Sequence, residues 1–227
     1  MTDLKLLDEL QESREKILQE IHRVVVGQEN IIDQLLLGLF SAGHCLLVGV
    51  PGLAKTLMVR TLAKALDLTF KRIQFTPDLM PSDITGTEVI QQDAVSLERS
   101  FKFVPGPIFA NLVLADEINR SPARTQAALL EVMQERQITV GGQTYFLPKP
   151  FIIIATQNSL DTEGVFHLGE AQVDRFLMMI EQEYPTEDEE REILYHTTGV
   201  HVPQVERVTG PEEILAMQRF AKEVPVV

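Results

Sequence analysis

The sequence has only one cysteine, Cys45, among its 227 residues. A single cysteine forms no internal disulfide and does not supply a cysteine-rich zinc site, which fits a reducing compartment. The five histidines are scattered and no His-Glu-x-x-His pair occurs, so a histidine-based metal centre is not indicated. We therefore interpret each histidine as a surface or packing residue, and Cys45 as part of a core strand without a redox role.

Positive charge is also scarce, because 20 lysines and arginines stand against 33 aspartates and glutamates, for a net charge of −13. This balance argues against a protein that coats nucleic acid or lies on anionic membranes, although it leaves room for a local basic site. No apolar run approaches the ~20 residues that cross a bilayer, and the first residues do not resemble a signal peptide. We expect no membrane insertion and a cytoplasmic location.

The strongest local signal is the stretch from Leu46 to Thr56, which reads as an apolar strand, a turn with glycines and the start of a helix. It fits the phosphate-loop pattern G-x-x-x-x-G-K-[ST] at all but one position, where Ala54 replaces the second glycine. In such loops backbone N–H groups surround phosphate oxygens, the lysine reaches the β- and γ-phosphates and the hydroxyl binds Mg²⁺. Lys55 and Thr56 are the predicted ligands. The alternative is an ordinary strand–turn–helix corner.

Four further candidate residues lie downstream of the loop. Asp116 and Glu117 come directly after an apolar strand, where the first carboxylate suits Mg²⁺ and the second suits a water that attacks the γ-phosphate. Asn158 follows another strand and could orient that water. Arg175 lies between an aspartate and a phenylalanine, and it could enter the site of a neighbouring subunit. Taken alone, Asp116 with Glu117 and Arg175 are more simply surface residues, and Asn158 has a strand-end turn residue as its alternative. Downstream of a phosphate loop, the functional interpretation of the two carboxylates is favoured.

Short apolar segments alternate with helical patterns along the chain, which predicts a mainly parallel five-stranded sheet between helices, a three-layer α/β/α fold. The predicted strands lie at 45–48, 70–75, 112–115, 151–156 and 177–180. The segment 76–86 is predicted to be irregular, 88–104 to be a hairpin or an irregular insert, and 137–146 to be a hairpin. Ser121 is the predicted cap of one helix, and Thr186 with Glu189 forms a predicted capping box for another.

Taken in order, several stretches resemble the AAA+ ATPases, P-loop NTPases, and specifically their MoxR branch. They are Val-Gly-Gln-Glu at 26–29, Gly-Val-Pro-Gly-Leu-Ala-Lys-Thr at 49–56, Thr-Pro-Asp-Leu-Met-Pro-Ser-Asp-Ile-Thr-Gly at 76–86, Gly-Pro-Ile-Phe-Ala-Asn at 106–111, Ala-Asp-Glu-Ile-Asn-Arg-Ser-Pro at 115–122, Ala-Leu-Leu-Glu-Val-Met-Gln-Glu at 128–135, Ala-Thr-Gln-Asn at 155–158 and Glu-Ala-Gln-Val-Asp-Arg-Phe at 170–176. Ala54 fits this branch, which commonly has Ala-Lys there, whereas Gly169 stands where many members have proline.

The resemblance implies a role for each candidate: Lys55 and Thr56 as the Walker A pair, Asp116 and Glu117 as the Walker B pair, Asn158 as the first sensor and Arg175 as an arginine finger acting in trans. It implies a catalytic set of Lys55, Glu117, Asn158 and Arg175, and Mg²⁺ ligands Thr56 and Asp116. The implied ATP-binding residues are Val26, Gly27, Gly49, Val50, Pro51, Gly52, Leu53, Ala54, Lys55, Thr56 and Leu57, with Val26 and Gly27 at the adenine.

The resemblance also implies an organisation of the chain. An amphipathic helix at 1–23 precedes an AAA+ core at 24–185, and 186–227 form the start of a helical lid. In this clade the inserts near 86–105 and 137–150 face the central pore of a ring. Nothing here matches the second sensor arginine of the family's lid, so we expect a truncated chain.

The implied activity is Mg²⁺-dependent hydrolysis of ATP to ADP by a ring, expected to be a hexamer. Such a ring would remodel or mature a client protein, often one that holds a metal or cofactor, beside a von Willebrand A-domain partner. One alternative is a nucleic-acid motor that grips a strand with Lys102, Lys149, Phe101 and Phe103, which the acidic balance disfavours. Another is a nucleotide-binding regulatory module with little turnover.

Overall fold

The computed structural model describes residues 2–92, 99–159, 164–198 and 204–223, and it has a five-stranded sheet at its centre. The strands are β1 (Cys45–Gly49), β2 (Phe70–Gln74), β3 (Gly86–Gln92), β4 (Arg99–Pro105), β5 (Leu112–Asp116), β6 (Gln137–Val140), β7 (Gln143–Phe146), β8 (Ile152–Gln157) and β9 (Met178–Gln182). The central sheet has the order β2-β5-β8-β1-β9, and all of its paired strands are parallel. All five predicted strands and the α/β class are confirmed.

Helices cover both faces of this sheet, because its strands are apolar on both sides. The helices are α1 (Thr2–His22), α2 (Glu29–Phe40), α3 (Lys55–Ala65), α4 (Pro81–Thr85), α5 (Ala123–Glu135), α6 (Glu170–Val173), α7 (Glu187–Thr198) and α8 (Pro211–Glu223). Along β5, Leu112 and Leu114 enter one buried cluster, whereas Val113 and Ala115 enter the other. The first cluster includes residues of α1, α2, α3 and α8, and the second includes residues of α4 and α5. Such two-sided burial is typical of parallel sheets.

Two antiparallel hairpins stand apart from the central sheet, β3 with β4 and β6 with β7. The first resolves the choice left open by the sequence in favour of a hairpin, and the second confirms the prediction made from Gly141 and Gly142. The hairpins meet where the ring of Phe103 stacks on Tyr145, with centroids 4.2 Å apart. Phe103 is therefore half-buried between hairpins, and Phe101 is exposed.

Two local predictions are wrong. The segment predicted to be irregular contains α4, whose first turn is closed by the Asp83 carboxylate as it accepts the N–H of Met80 at 2.8 Å. Ser121 does not cap α5. Its hydroxyl donates to the carbonyl of Ile118 at 3.4 Å, which closes the preceding short 3₁₀ turn, and α5 begins after Pro122.

The capping box before α7 is confirmed. The Glu189 carboxylate accepts the N–H of Thr186 at 2.7 Å, and the N–H of Glu189 donates to the Thr186 hydroxyl at 3.3 Å. The helix that follows is α7, which extends to Thr198. Within the described ranges, no helix combines the length and the apolar character that a membrane crossing requires.

Candidate nucleotide site

The predicted phosphate loop connects β1 to α3 at the carboxyl edge of the sheet, where ligands of parallel α/β folds bind. Gly49 ends β1 against β9, and a Cβ added there would lie 2.8 Å from the carbonyl oxygen of Gln182. The side chain of Gln182 then supports the loop, because its Nε2 donates to the carbonyl of Leu53 at 2.9 Å and to Gln28 Oε1 at 2.7 Å. Glycine is therefore required at 49 by close packing.

Two residues of the loop have positive φ angles. Gly52 has φ +87° with nothing within 4 Å of an added Cβ, and Ala54 has φ 54° immediately before α3. Glycine adopts this backbone freely, but an alanine in it costs on the order of 1 kcal/mol. Ala54, which replaces the second glycine of the phosphate-loop pattern, is therefore strained but still forms the turn into α3.

Lys55 lies folded over its own loop. Its Nζ donates to the carbonyl of Gly49 at 2.6 Å. Burial lowers the pKa of the ammonium group, and the charges of Asp116 and Glu117 oppose that shift. Two carboxylates thus keep a half-buried cation in the site, which is the arrangement a lysine needs if it is to meet phosphate oxygens.

Asp116 and Glu117 are held by a hydroxyl on the adjacent strand β8. Thr156 Oγ1 donates to Asp116 Oδ1 at 2.5 Å and accepts the backbone N–H of Glu117 at 2.8 Å. The other oxygen of Asp116 accepts from Arg72 on β2, with Nε at 2.9 Å and the terminal nitrogen at 2.6 Å. Both oxygens of Asp116 are therefore engaged.

Glu117 leaves the strand in a left-handed conformation, with φ 57° and ψ 50°. Its Oε2 accepts from Gln74 Nε2 at 3.0 Å and pairs with Arg120 Nε at 3.2 Å. A carboxylate held from two sides on a strained residue has a fixed position, which is a property expected of a group that acts on a water molecule.

One cavity of about 380 Å³ brings the predicted side chains together. Its lining comprises Pro51, Gly52, Leu53, Ala54, Lys55, Thr56, Arg72, Asp116, Glu117, Thr156 and Asn158. Of the predicted loop residues, Gly49 and Val50 are buried beneath this lining. Five of the six predicted catalytic or metal-binding side chains thus meet in one place.

Arg175 is the exception, because it lies at the opposite edge of the sheet, between α6 and β9. Its guanidinium donates to the carbonyl of Leu130 at 3.0 Å, and the side chain is exposed. Within one chain, Arg175 therefore does not line the cavity that contains Lys55.

A second, mainly apolar cleft of about 170 Å³ adjoins the phosphate loop. Val26 and Leu57 line it together with Leu53, and Ile193 and His196 of α7 close it. Gly27 is placed beside it by close packing, since a Cβ there would lie 1.9 Å from Glu189 Oε1. The segment around 26 and the loop thus border one mainly apolar cleft.

Sequence reasoning missed Arg72, Thr156 and Gln182. Arg72 has no motif, and only the pairing of β2 with β5 carries it to Asp116. Thr156 belongs to the Ala-Thr-Gln-Asn stretch, which could have indicated it. Gln182 is the last residue of β9, and the sequence does not predict that β9 pairs with β1.

Comparisons with known proteins agree with this geometry. Residues 44–178 match the model of the ATPase family associated with various cellular activities (AAA). The chain is 49% identical over 207 residues to "Chaperone MoxR1" of Mycobacterium tuberculosis, with 91% of this chain and 54% of that protein covered. It is 46% identical over 210 residues to "Uncharacterized protein YeaC" of Bacillus subtilis, with 92% and 64% covered. The chain thus spans between half and two thirds of the length of these two relatives.

A crystal structure of a candidate ATPase from Cytophaga hutchinsonii superposes with a TM-score of 0.87 at 43% identity, and it covers 100% of this chain and 69% of that one. The family match includes the strand before the phosphate loop, both carboxylates and Asn158, which are the parts that the cavity brings together. This chain belongs to the AAA ATPase family and, within it, to the MoxR branch.

Proposed function

We propose that this protein is a Mg²⁺-dependent ATPase that works as a ring and remodels or matures a client protein. The observation that supports the ATPase most directly is the meeting of Lys55, Thr56, Asp116, Glu117 and Asn158 in one cavity. These residues come from three separate parts of the chain, so their convergence is not a consequence of one local motif.

The cavity suits the phosphates of ATP with Mg²⁺. The fit rests on oxygen donors, since Thr56 offers a hydroxyl and Asp116 a carboxylate, and Mg²⁺ is commonly held by one or two such groups plus phosphate oxygens. When bound, Mg²⁺ neutralises charge on the β- and γ-phosphates. Lys55 binds the same phosphates, Glu117 takes the proton of the attacking water, and Asn158 orients that water. Arg72 competes for Asp116, so it would yield or share that oxygen.

The apolar cleft beside the loop suits the adenine ring. Its walls, which include Val26 and Leu57, offer hydrophobic contact, and it shares Gly52, Leu53 and Ala54 with the cavity that would hold the phosphates. Two residues of α7 border this cleft, so the helices after residue 186 begin a lid over the nucleotide.

Arg175 belongs to the site of the next subunit in this proposal. Its place at the amino edge, away from the cavity of its own chain, supports action in trans. A ring, with six members by resemblance, is the closed assembly that such a contact requires. The relative MoxR1 is named a chaperone, which supports a protein client, and the resemblance adds a von Willebrand A-domain partner to the proposal.

The decisive experiment changes Glu117 to Gln. Loss of the base should lower ATP hydrolysis at least ~10²-fold while ATP still binds, because phosphate contacts are unchanged. Turnover is measured by phosphate release and affinity with a labelled nucleotide. Glu15→Gln, an exposed position on α1, is the matched control and should behave as the unmodified chain. Near-normal turnover in Glu117→Gln would contradict the assignment.

A mixing experiment tests Arg175. Arg175→Ala and Lys55→Ala should each be inactive alone. In an equal mixture roughly a quarter of the interfaces would pair an intact Lys55 with an intact Arg175, so roughly a quarter of the activity should return. If mixing restores nothing, Arg175 does not act across subunits.

A further inference from the structure

A cleft of about 520 Å³ opens at the amino edge of the sheet, the edge opposite to the nucleotide cavity. One wall is a face of α8 with Leu215 and Arg219, and the other is the extended segment 147–151 that leads into β8. Ala42, which precedes β1, also lines it. The cleft therefore belongs to no part of the site described above.

The cleft is basic in an acidic chain. Arg136, Lys149, Arg219 and Lys222 line it, against one carboxylate, Glu212, whereas the whole chain carries −13. Among the described residues, none of the four cations forms an ion pair, and Arg136 donates only to the carbonyl of Ala42 at 3.0 Å. Four cations without carboxylate partners around one cleft favour an anionic occupant.

The lining favours a peptide over a phosphate group. Pro148 and Pro150 have no N–H, so this wall offers few of the backbone donors that form phosphate cradles. Leu147, Phe151 and Leu215 add an apolar surface between the cations. An acidic segment with large apolar side chains matches both features, since arginine pairs well with carboxylates.

The start of α7 is such a segment, at the carboxyl edge of the same chain. Residues 187–192 contain five carboxylates and one arginine. Glu187 and Asp188 are 80% and 93% exposed, and about two turns later Leu194 and Tyr195 are 62% and 81% exposed. The pairs of Arg191 with Glu187 and Asp188 are exposed and contribute little.

We propose that the amino-edge cleft binds the acidic start of α7 from a second copy of this chain. The contact is heterologous, because different surfaces meet, and such contacts form a ring when the rotation between subunits closes. In this contact the amino edge of one subunit, which carries Arg175, faces the carboxyl edge of the next subunit, which carries the nucleotide cavity. The inference thus rests on the ring in the proposed function and identifies its electrostatic contact.

Charge reversal tests the contact. Arg219→Glu/Lys222→Glu makes the cleft acidic, and Glu187→Lys/Asp188→Lys/Glu190→Lys, at three exposed positions, makes the start of α7 basic. Each variant alone then brings like charges together at every contact, whereas in an equal mixture every contact between the two different variants brings unlike charges together. Sedimentation velocity with ADP present should show monomers for each variant alone and assemblies for the mixture. The unmodified chain should associate by itself, at least ~10-fold more weakly in 0.5 M than in 0.05 M NaCl.

Folding and function are followed separately. Thermal melting checks that each variant folds, and binding of a labelled nucleotide reports the Lys55 site of single subunits. If nucleotide binding is absent throughout, the proposed ATPase fails, whatever the assemblies do. If the unmodified chain stays monomeric, or if the variants assemble alone or fail to assemble when mixed, the contact is overturned. Where a variant does not fold, the salt dependence of the unmodified chain decides.

Discussion

The carboxyl and amino edges of the central sheet differ in whether their charged side chains have partners within the chain. At the carboxyl edge each charged side chain of the cavity has a partner within the chain, as in the contacts of Asp116 with Arg72 and Thr156. At the amino edge, four cations line a cleft without ion pairs among the described residues, while a neutral histidine, His44, is buried below. One edge is organised for a ligand that enters an ordered site, and the other is open to a partner.

This difference between the two edges predicts which side chains govern the stability of the fold and which govern association with a partner. Groups that the fold itself must satisfy, such as His44 and Thr156, should govern stability. Cations that have no carboxylate partner among the described residues, such as Arg219, should govern association and hardly affect stability. The following predictions test this division.

The largest effect is expected at His44. Its Nδ1 accepts the N–H of Ile153 at 2.9 Å, and Nε2 lies 3.2 Å from the carbonyl of Met133, which favours a proton on Nε2. Burial lowers its pKa to about 4, with a backbone bond to Met133 opposing and the Arg136 charge assisting. As the pH falls below about 6.5, the histidine is protonated in the unfolded chain before it is protonated in the folded one. The free energy of unfolding therefore decreases until the pH reaches about 4.

The expected loss is on the order of 3 kcal/mol across that range. Urea denaturation between pH 7.5 and 4.5 measures it, and the comparison with His44→Asn cancels the other titrating groups. The advantage of the unmodified chain over His44→Asn should shrink as pH falls. His167→Asn, an exposed position, is the control. A difference that stays constant with pH would show that burial does not keep His44 neutral.

Two glycines of the phosphate loop give the next effect. Gly49→Ala places a methyl group 2.8 Å from the Gln182 carbonyl, so β1 and β9 must separate, at a cost of about 2 kcal/mol. Gly52→Ala meets no neighbour within 4 Å and costs only the backbone strain of a side chain at φ +87°, about 1 kcal/mol. Denaturation without nucleotide measures both. Equal losses would mean that Gly49 is not packed as described.

A somewhat smaller loss is expected from Thr156→Val, which keeps the shape of the side chain. The variant leaves the N–H of Glu117 without its acceptor and frees one oxygen of Asp116, at about 1 to 1.5 kcal/mol. ATP hydrolysis should fall ~10-fold, since both carboxylates lose a positioning contact. Thr139→Val on the exposed hairpin is the control. Unchanged turnover would show that Thr156 does not position them.

The sequence predicted the central sheet because its strands are apolar on both faces, and it predicted most of the cavity because parallel strands end at one edge. It did not predict α4, which depends on one contact between Asp83 and the backbone of Met80. It missed Arg72 and the basic cleft for a common reason. Both depend on pairings between distant segments, β2 with β5 and α8 with 147–151, for which no local pattern exists.

The smallest effect is expected at Arg72. This side chain is 45% exposed, so its two bonds to Asp116 are partly screened and contribute at most ~1 kcal/mol to stability. Arg72→Gln should therefore lower the free energy of unfolding slightly in 0.05 M NaCl and less in 0.5 M NaCl. Lys71→Gln changes an exposed cation on the same strand that has no ion pair with any described residue, and it should show neither effect. A large, salt-independent loss would mean that this pair supports the fold. A small one means that Arg72 is tied to Asp116 for the sake of the site, because a contact that costs little to break is one that a bound cation can displace.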